Sequence, residues 1–489
     1  MVDGYAPTGI SGLDEVLRGG LPEHQMYFIQ GDPGAGKTTL SFQFLLEGVR
    51  RGEKTLYVTL SASSRDLSRV ARSHGWTLDG IDIYEQFQTA SGADTTIFRP
   101  AEIELAKTVK AILDAIDARQ PDRVVIDSLA EIRLLSESAL RYRKQLLTLK
   151  EFFRERRITA LVLDDRSVAA RDSEVQGLAE GVIVLCASAP MYGNTRRRLE
   201  VVKLRGVAFR GGFHDFTIDK GGLTVFPRLT AGEHRVSRDE GVIVSGIAEM
   251  DALVGGGLER GTTTMIMGPA GVGKSSLALQ FATTAAAAGE KVAFFIFEEH
   301  ITVFLKRAAS LGFELPKLIE SGHMRVYQID PAEMSAGEFA HAIRTAVEKD
   351  EGSVIVIDSL NGYFNAMPEE HFLTLHLHEL LSYLASAAAT TILIVSQHGA
   401  LGHVSSPVDV SYLADAVILL RYYETHGAFR RAISMLKKRT SIHEQSVRDY
   451  QLTASGVRVG KVLTEFRGIL SGMQSMEAPV ANAKVDPGQ

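Results

Sequence analysis

One short pattern occurs twice in this chain and restricts its possible folds more than any other feature. Gly31-Asp32-Pro33-Gly34-Ala35-Gly36-Lys37-Thr38 and Gly268-Pro269-Ala270-Gly271-Val272-Gly273-Lys274-Ser275 both read G-x-x-x-x-G-K-[ST]. This is the phosphate-binding P-loop. Its glycines let backbone N–H groups close around phosphate oxygens, its lysine reaches the outer phosphates, and its hydroxyl ligates Mg²⁺. The helix that follows adds its positive N-terminal end, so Thr39 and Ser276 belong to the same cradle. Each copy stands after an apolar strand-like run (Met26–Gln30; Thr264–Met267) and before a helix-like run, as the motif requires.

The shift that lays Lys37 on Lys274 aligns much more than the loops. Without gaps, Thr8-Gly9-Ile10 falls on Ser245-Gly246-Ile247, Gly19-Gly20-Leu21 on Gly256-Gly257-Leu258, and Gly52-Glu53-Lys54 on Gly289-Glu290-Lys291. A whole domain is duplicated. Each copy alternates strand and helix patterns, the signature of an α/β domain with a mostly parallel sheet flanked by helices, and each ends in β-rich segments that read as added hairpins. The expected boundaries are a first domain over 1–230, a polar linker over Pro227–Glu240, a second domain over 241–472 and a disordered tail over 473–489. A chain of 489 residues is long enough for two such cores.

Composition excludes several classes. The formal net charge is −6, and the only obvious basic run, Arg196-Arg197-Arg198, is short, so tight nucleic-acid binding has no electrostatic basis. No apolar run reaches the ~20 residues of a membrane span. The N-terminus carries no targeting pattern, and a cytoplasmic location is expected. Cys186 is the sole cysteine and reads as a small buried hydrophobe.

Phosphoryl chemistry needs carboxylates near the loops. Asp127 and Asp358 each end a short β-branched apolar run and precede Ser-Leu, which suits holding the water shell of Mg²⁺ beside Thr38 and Ser275; capping of the next turn is the alternative. In the second copy the strand Phe294–Phe297 ends in Glu298-Glu299, at the crevice where open α/β sheets bind ligands. Glu298 is expected to act as base or water-positioner, with Glu299 assisting; an acidic helix start is the bland alternative. The same shift gives Ser61-Ala62 in the first copy, where the base is missing. Asp66 and the pair Asp164-Asp165 are the nearest substitutes. Gln397, beyond the strand Thr391–Val395, is a candidate γ-phosphate sensor. His371, His376 and His378 lack the spacing of a metal site and read as helix surface.

Tandem P-loop domains of RecA type, with Gly-Gly-Leu before the first strand and an acidic pair after the second, resemble the KaiC family. Ser73-His74-Gly75-Trp76, Lys203-Leu204-Arg205-Gly206 and Asp409-Val410-Ser411-Tyr412-Leu413-Ala414-Asp415 are similar to segments there. The resemblance spans about Gly9 to Leu470. It implies two RecA-like P-loop domains, double-ring homo-hexamers, and ATP bound between subunits. It implies that Lys203 and Arg205, and in the second copy Lys437 and Arg439, reach a neighbour's phosphates; charged edge-strand residues are the alternative. It also implies autophosphorylation of a hydroxyl pair, here Ser411 and Tyr412, with Ser411 the expected acceptor because tyrosine replaces the second hydroxyl residue; a turn residue is the alternative. A KaiB-like protein partner and a signalling or timing role follow by family only. The departure at Ser61-Ala62 predicts a first domain that binds ATP but hydrolyses it poorly.

Two other functions share this fold: a RecA/DnaB-like DNA-dependent ATPase, and a nucleotide-dependent scaffold without kinase activity. A DNA motor needs basic loops, whereas the segments after Asp127 and Asp358 offer only Arg133 as a cation. Single-stranded DNA is therefore expected to change the rate of ATP turnover by less than about twofold between low and physiological salt. A severalfold, salt-sensitive stimulation would favour the motor.

Overall fold

A computed structural model describes residues 4–86, 101–136, 138–165, 177–230, 241–365, 372–397, 411–464, 466–467 and 475–476. The chain forms two compact units, Met1–Arg228 and Leu229–Gln489. Each contains one nine-stranded sheet, and the two sheets have the same strand order.

In the second unit the parallel strands run, from the edge inward, Met324–Gln328, Val292–Ile296, Val354–Asp358, Thr390–Gln397, the P-loop strand Thr263–Pro269 and Ala416–Thr425. Three antiparallel strands extend the sheet: Ala428–Lys438, Val447–Thr453 and Gly456–Val462. The first unit repeats this with Ile81–Glu85, Thr55–Thr59, Arg123–Asp127, Thr159–Asp165, Met26–Gly31 and Gly181–Ser188 in parallel. Arg196–Leu204, Phe213–Asp219 and Gly222–Phe226 form its antiparallel extension.

The parallel strands are apolar along their length because helices cover both faces, so successive side chains are all buried. Val354, Ile355, Val356 and Ile357 are fully buried in this way. One face of the second sheet packs Leu277, Phe281 and Ala282 of the P-loop helix Lys274–Ala287. The other packs Phe339, Leu380 and Leu384. Ser335 starts the helix Ala336–Glu348 with a capping box that includes Glu338.

The segments after Asp127 and Asp358, read from sequence as short connections, form helices, Leu129–Leu134 and Leu360–Asn365. Buried Ile132 and Tyr363, three residues after Leu129 and Leu360, hold them against the sheet. Asn361 fixes the second of these helices further: it donates to the Ser396 carbonyl at 2.9 Å and accepts from the Ser396 N–H at 2.7 Å. Cys186 is half-buried rather than fully so, near the end of its strand. The Arg196–Arg198 run opens an antiparallel strand, with Arg198 paired to Asp215. Of the expected tail only Ser475–Met476 is described, paired antiparallel with Phe466–Arg467; the expected linker lies outside the described residues from 231 to 240. No helix among the described residues is long and apolar enough to cross a membrane.

The P-loop strand leaves no room beside its last glycine. A Cβ on Gly268 would lie 2.5 Å from the Leu420 carbonyl oxygen, and one on Gly31 would lie 2.7 Å from that of Leu185. Gly268→Ala is expected to cost about 1–3 kcal/mol of stability, read as a lower denaturation midpoint, because backbone rather than a movable side chain must yield.

Candidate nucleotide site

Both P-loops join the end of a central strand to a helix through a glycine in the left-handed region: Gly36 at φ 108° and Gly273 at φ 106°. Only glycine adopts this without strain, and the conformation turns successive N–H groups toward one point. In the second copy Tyr450 packs against this turn and donates to the Gly273 carbonyl at 3.0 Å.

Lys274 is buried, and its ammonium donates to the Pro269 carbonyl at 2.8 Å. Burial pushes the lysine down to about 8, while Asp358 and Glu298 act in the opposite sense. Asp358, at the end of the strand one removed from the P-loop strand, is raised by burial to about 6. A hydrogen bond from Ser275 and the charge of Arg307 oppose that rise, and Glu298 adds to it. A hydroxyl bonded to a carboxylate beside an anion cradle suits Mg²⁺, which keeps most of its ligands as water and phosphate oxygen. Among the described residues no cluster of three or more His, Cys, Asp or Glu forms a protein cage instead.

The acidic pair divides into two environments that its sequence does not reveal. Glu298 is exposed and accepts from the Ser359 hydroxyl at 2.8 Å, which ties it to the residue after Asp358. Glu299 is clasped by Arg307, with Nε–Oε1 at 3.2 Å and Nη2–Oε2 at 2.6 Å. Arg307 lies in the last turn of the helix Ile301–Ser310, and its reach back to Glu299 depends on that helix's docking. Glu298 is therefore exposed and held by a hydroxyl, whereas Glu299 is paired with a guanidinium.

The first copy is built differently. Lys37 donates to the carbonyls of Gly31 at 2.7 Å and Asp32 at 3.1 Å and pairs with Asp165 at 2.7 Å. Asp127 does not stand alone with Thr38: the buried Tyr57 hydroxyl donates to Asp127 at 2.5 Å and is also hydrogen-bonded with Thr38. Burial raises Asp127, with Tyr57 and Lys37 opposing it. The position matching Tyr57 in the second copy is Phe294. Neither Tyr57 nor Arg307 stood out in the sequence, since each resembles an ordinary core or surface residue there. Of the proposed substitutes for the missing base, Asp66 sits at the start of the helix Ser64–Ser73, bonded to Ser63 and Arg69, away from the loop. Asp164 is buried against Arg133 at 3.0 Å, and only Asp165 meets the P-loop.

The residues compared above to trans-acting cations lie at the opposite end of each sheet from their own P-loop. Lys437 stands beside Val417 and donates to the carbonyls of Ser411 at 3.2 Å and Ala414 at 2.8 Å. Arg439 reaches the Tyr412 carbonyl at 2.9 Å. In the first copy Lys203 donates to Gly177 and Ala179, and Arg205 to Gly177. Burial lowers both lysines. Ser411 opens a single 3₁₀ turn, Ser411–Leu413, ahead of the strand Ala416–Thr425. Gln397 ends its strand in register with Pro269, beside the loop. His376 meets the Tyr363 hydroxyl at 2.6 Å, His378 is exposed, and His371 lies outside the described residues.

The family model described as "ATPase: KaiC" matches residues 6–230 and 243–463. Among similar proteins, circadian clock protein KaiC3 of Synechocystis sp. is 27% identical over 474 residues, covering 95% of this chain and 93% of its own. Circadian clock oscillator protein KaiC of Thermostichus vulcanus is 27% identical over 479 residues, covering 95% and 91%. That of Parasynechococcus marenigrum is 26% identical over 483 residues, covering 96% and 92%.

The raised Asp358 has a consequence for pH. A cation shell needs the carboxylate ionised, so below about 6 binding must first expel a proton. Affinity of the second site for ATP with Mg²⁺ is expected to be highest between about pH 6 and 8, falling by up to about tenfold per unit below pH 6 as Asp358 takes a proton and falling again above about 8 as Lys274 loses its own. Calorimetric titration in two buffers of different ionisation heat reads the released proton directly, and a flat profile from pH 5 to 7 would refute it.

Proposed function

Since the chain belongs to the KaiC ATPase family across both of its copies, we propose that it is an ATP-driven autokinase ring whose second domain does the chemistry. The observation that carries this reading is the pairing of an intact phosphate cradle with an exposed carboxylate, Glu298, and one clasped by arginine, Glu299. Lys274 binds the phosphates, Ser275 and Asp358 hold Mg²⁺ through its water shell, and Glu298 orients or deprotonates the nucleophile. Mg²⁺ supplies charge neutralisation on the phosphates when bound.

Strand polarity supports transfer between subunits. Ser411, Lys437 and Arg439 sit near the N-terminal ends of the parallel strands, whereas the P-loop leaves their C-terminal ends. A chain cannot bring its own terminal phosphate to its own Ser411 without dismantling the sheet, so a neighbour must present it. A homo-hexamer with ATP between subunits satisfies this, with Lys437 and Arg439 adding positive charge from across the interface. Lys203 and Arg205 take the same role in the first ring. That first domain, lacking a base, binds ATP and holds the ring while hydrolysing poorly. The biological use is signalling or timing through a phosphorylation-dependent, KaiB-like partner in the cytoplasm.

Incubation with ATP and Mg²⁺ followed by mass spectrometry is expected to place phosphate on Ser411 and to lose that signal in Ser411→Ala. ATP consumption without phosphate on Ser411 would reduce the protein to an ATPase. Substituting Glu298 and Glu299 together by Gln is expected to lower turnover by about 10²–10⁴-fold, the usual worth of a positioned base. Unchanged behaviour would favour the scaffold.

A further inference from the structure

One buried ring stands beside the cation-holding groups of each copy, at corresponding positions. Tyr57 pairs with Val125 across its sheet and Phe294 with Val356, so both side chains lie on the face covered by the P-loop helix. Asp127 and Asp358 follow two residues after those valines and keep to the same face. Phe42, one turn past Thr38 on the P-loop helix Lys37–Arg50, packs against Tyr57 with ring centroids 5.3 Å apart. Held there, the Tyr57 hydroxyl donates to Asp127 at 2.5 Å and also meets Thr38. Phe294 packs against Phe304 at 5.0 Å and brings no polar atom, and Asp358 is bonded to Ser275 directly. The packing does not require the oxygen, because phenylalanine fills the corresponding place.

We infer that the Tyr57 hydroxyl is a positioning group that loosens the first site's hold on its divalent cation while leaving its hold on the polyphosphate unchanged. A buried carboxylate draws the water shell of Mg²⁺ with its charge and its unshared electron pairs. The phenol donates into one of those oxygens and withdraws part of its charge. It thereby supplies from inside the protein a partner that the shell would otherwise supply from outside. It also stands between the carboxylate and the Thr38 hydroxyl, which in the second copy meet without a bridge. Asp358 has no phenol and gains more from a cation. The phosphates are held by the glycine turn and Lys37, to which Tyr57 is not bonded among the described residues.

The inference rests on reading both P-loops as sites for ATP with Mg²⁺, and it keeps the first domain as one that binds ATP and holds the ring. A loosely held cation leaves the terminal phosphate less neutralised, which slows hydrolysis there in addition to the missing base at Ser61-Ala62. A purely structural hydroxyl makes a separable demand. Its loss lowers stability, and it moves nucleotide affinity equally with and without the cation.

The test uses the full chain carrying Lys274→Ala, which disables the second loop. It reads the factor by which saturating Mg²⁺ tightens the binding of methylanthraniloyl-labelled ATP over binding in EDTA. Tyr57→Phe, which installs the second copy's ring, is expected to raise that factor by about three- to tenfold, with affinity in EDTA within about twofold of the parent. The reciprocal exchange, Phe294→Tyr in a chain carrying Lys37→Ala, is expected to lower the second site's factor by a similar amount. Should Phe294→Tyr lose its folded melting transition by burying a new hydroxyl, Tyr57→Phe decides alone. An unchanged or opposite shift in a folded variant, or an equal shift with and without Mg²⁺, overturns the inference. A Lys274→Ala parent that binds the labelled ATP neither with Mg²⁺ nor in EDTA overturns the reading of the first loop as a nucleotide site, and the inference with it.

Discussion

The burial of a lysine at the start of the P-loop helix and of an aspartate at the end of a nearby parallel strand is the constraint on which the second site depends. Lys274 is depressed to about 8 and Asp358 raised to about 6 by the same loss of water. The charge of each favours the charged form of the other. The sheet holds them in that state because its strands are apolar on both faces and its cradle glycine is wedged against backbone. A charge-frustrated cleft in a rigid frame is how a fold prepares a site for a metal–polyphosphate complex.

Much of this was legible in the amino-acid sequence, and for identifiable reasons. The P-loop is contiguous, so its function is written in one stretch. The β-branched runs ending in Asp127 and Asp358, and the apolar run before Glu298, carry their own pattern, so their strands emerged with nearly the observed limits. What stayed hidden depends on contacts distant in sequence. Arg307 reaches Glu299 only after a helix docks. Asp165 reaches Lys37 only because its strand lies beside the P-loop strand, a fact of sheet order rather than of local pattern. The helices after Asp127 and Asp358 were hidden because six residues carry too little periodicity to announce themselves.

Topology also separates the two ends of the second sheet. The strand that follows the turn Ser411–Leu413 runs parallel to the P-loop strand, so this turn and the P-loop lie at opposite ends of one sheet. The antiparallel extension returns Lys437 and Arg439 to the end that carries this turn, where backbone carbonyls of Ser411, Tyr412 and Ala414 hold them. The P-loop and the turn Ser411–Leu413 thus stand at opposite poles of one layer.

Tyr57 and Phe294 occupy corresponding places in two interiors, and both are fully buried. They differ by one oxygen atom, which in Tyr57 lies at the chemical end of the ring rather than among its packing neighbours. A duplicated domain can therefore change the hydrogen bonding beside its P-loop through a single core ring. Divergence of this kind escapes the penalty that normally restrains core substitutions, and it leaves almost no trace in hydropathy.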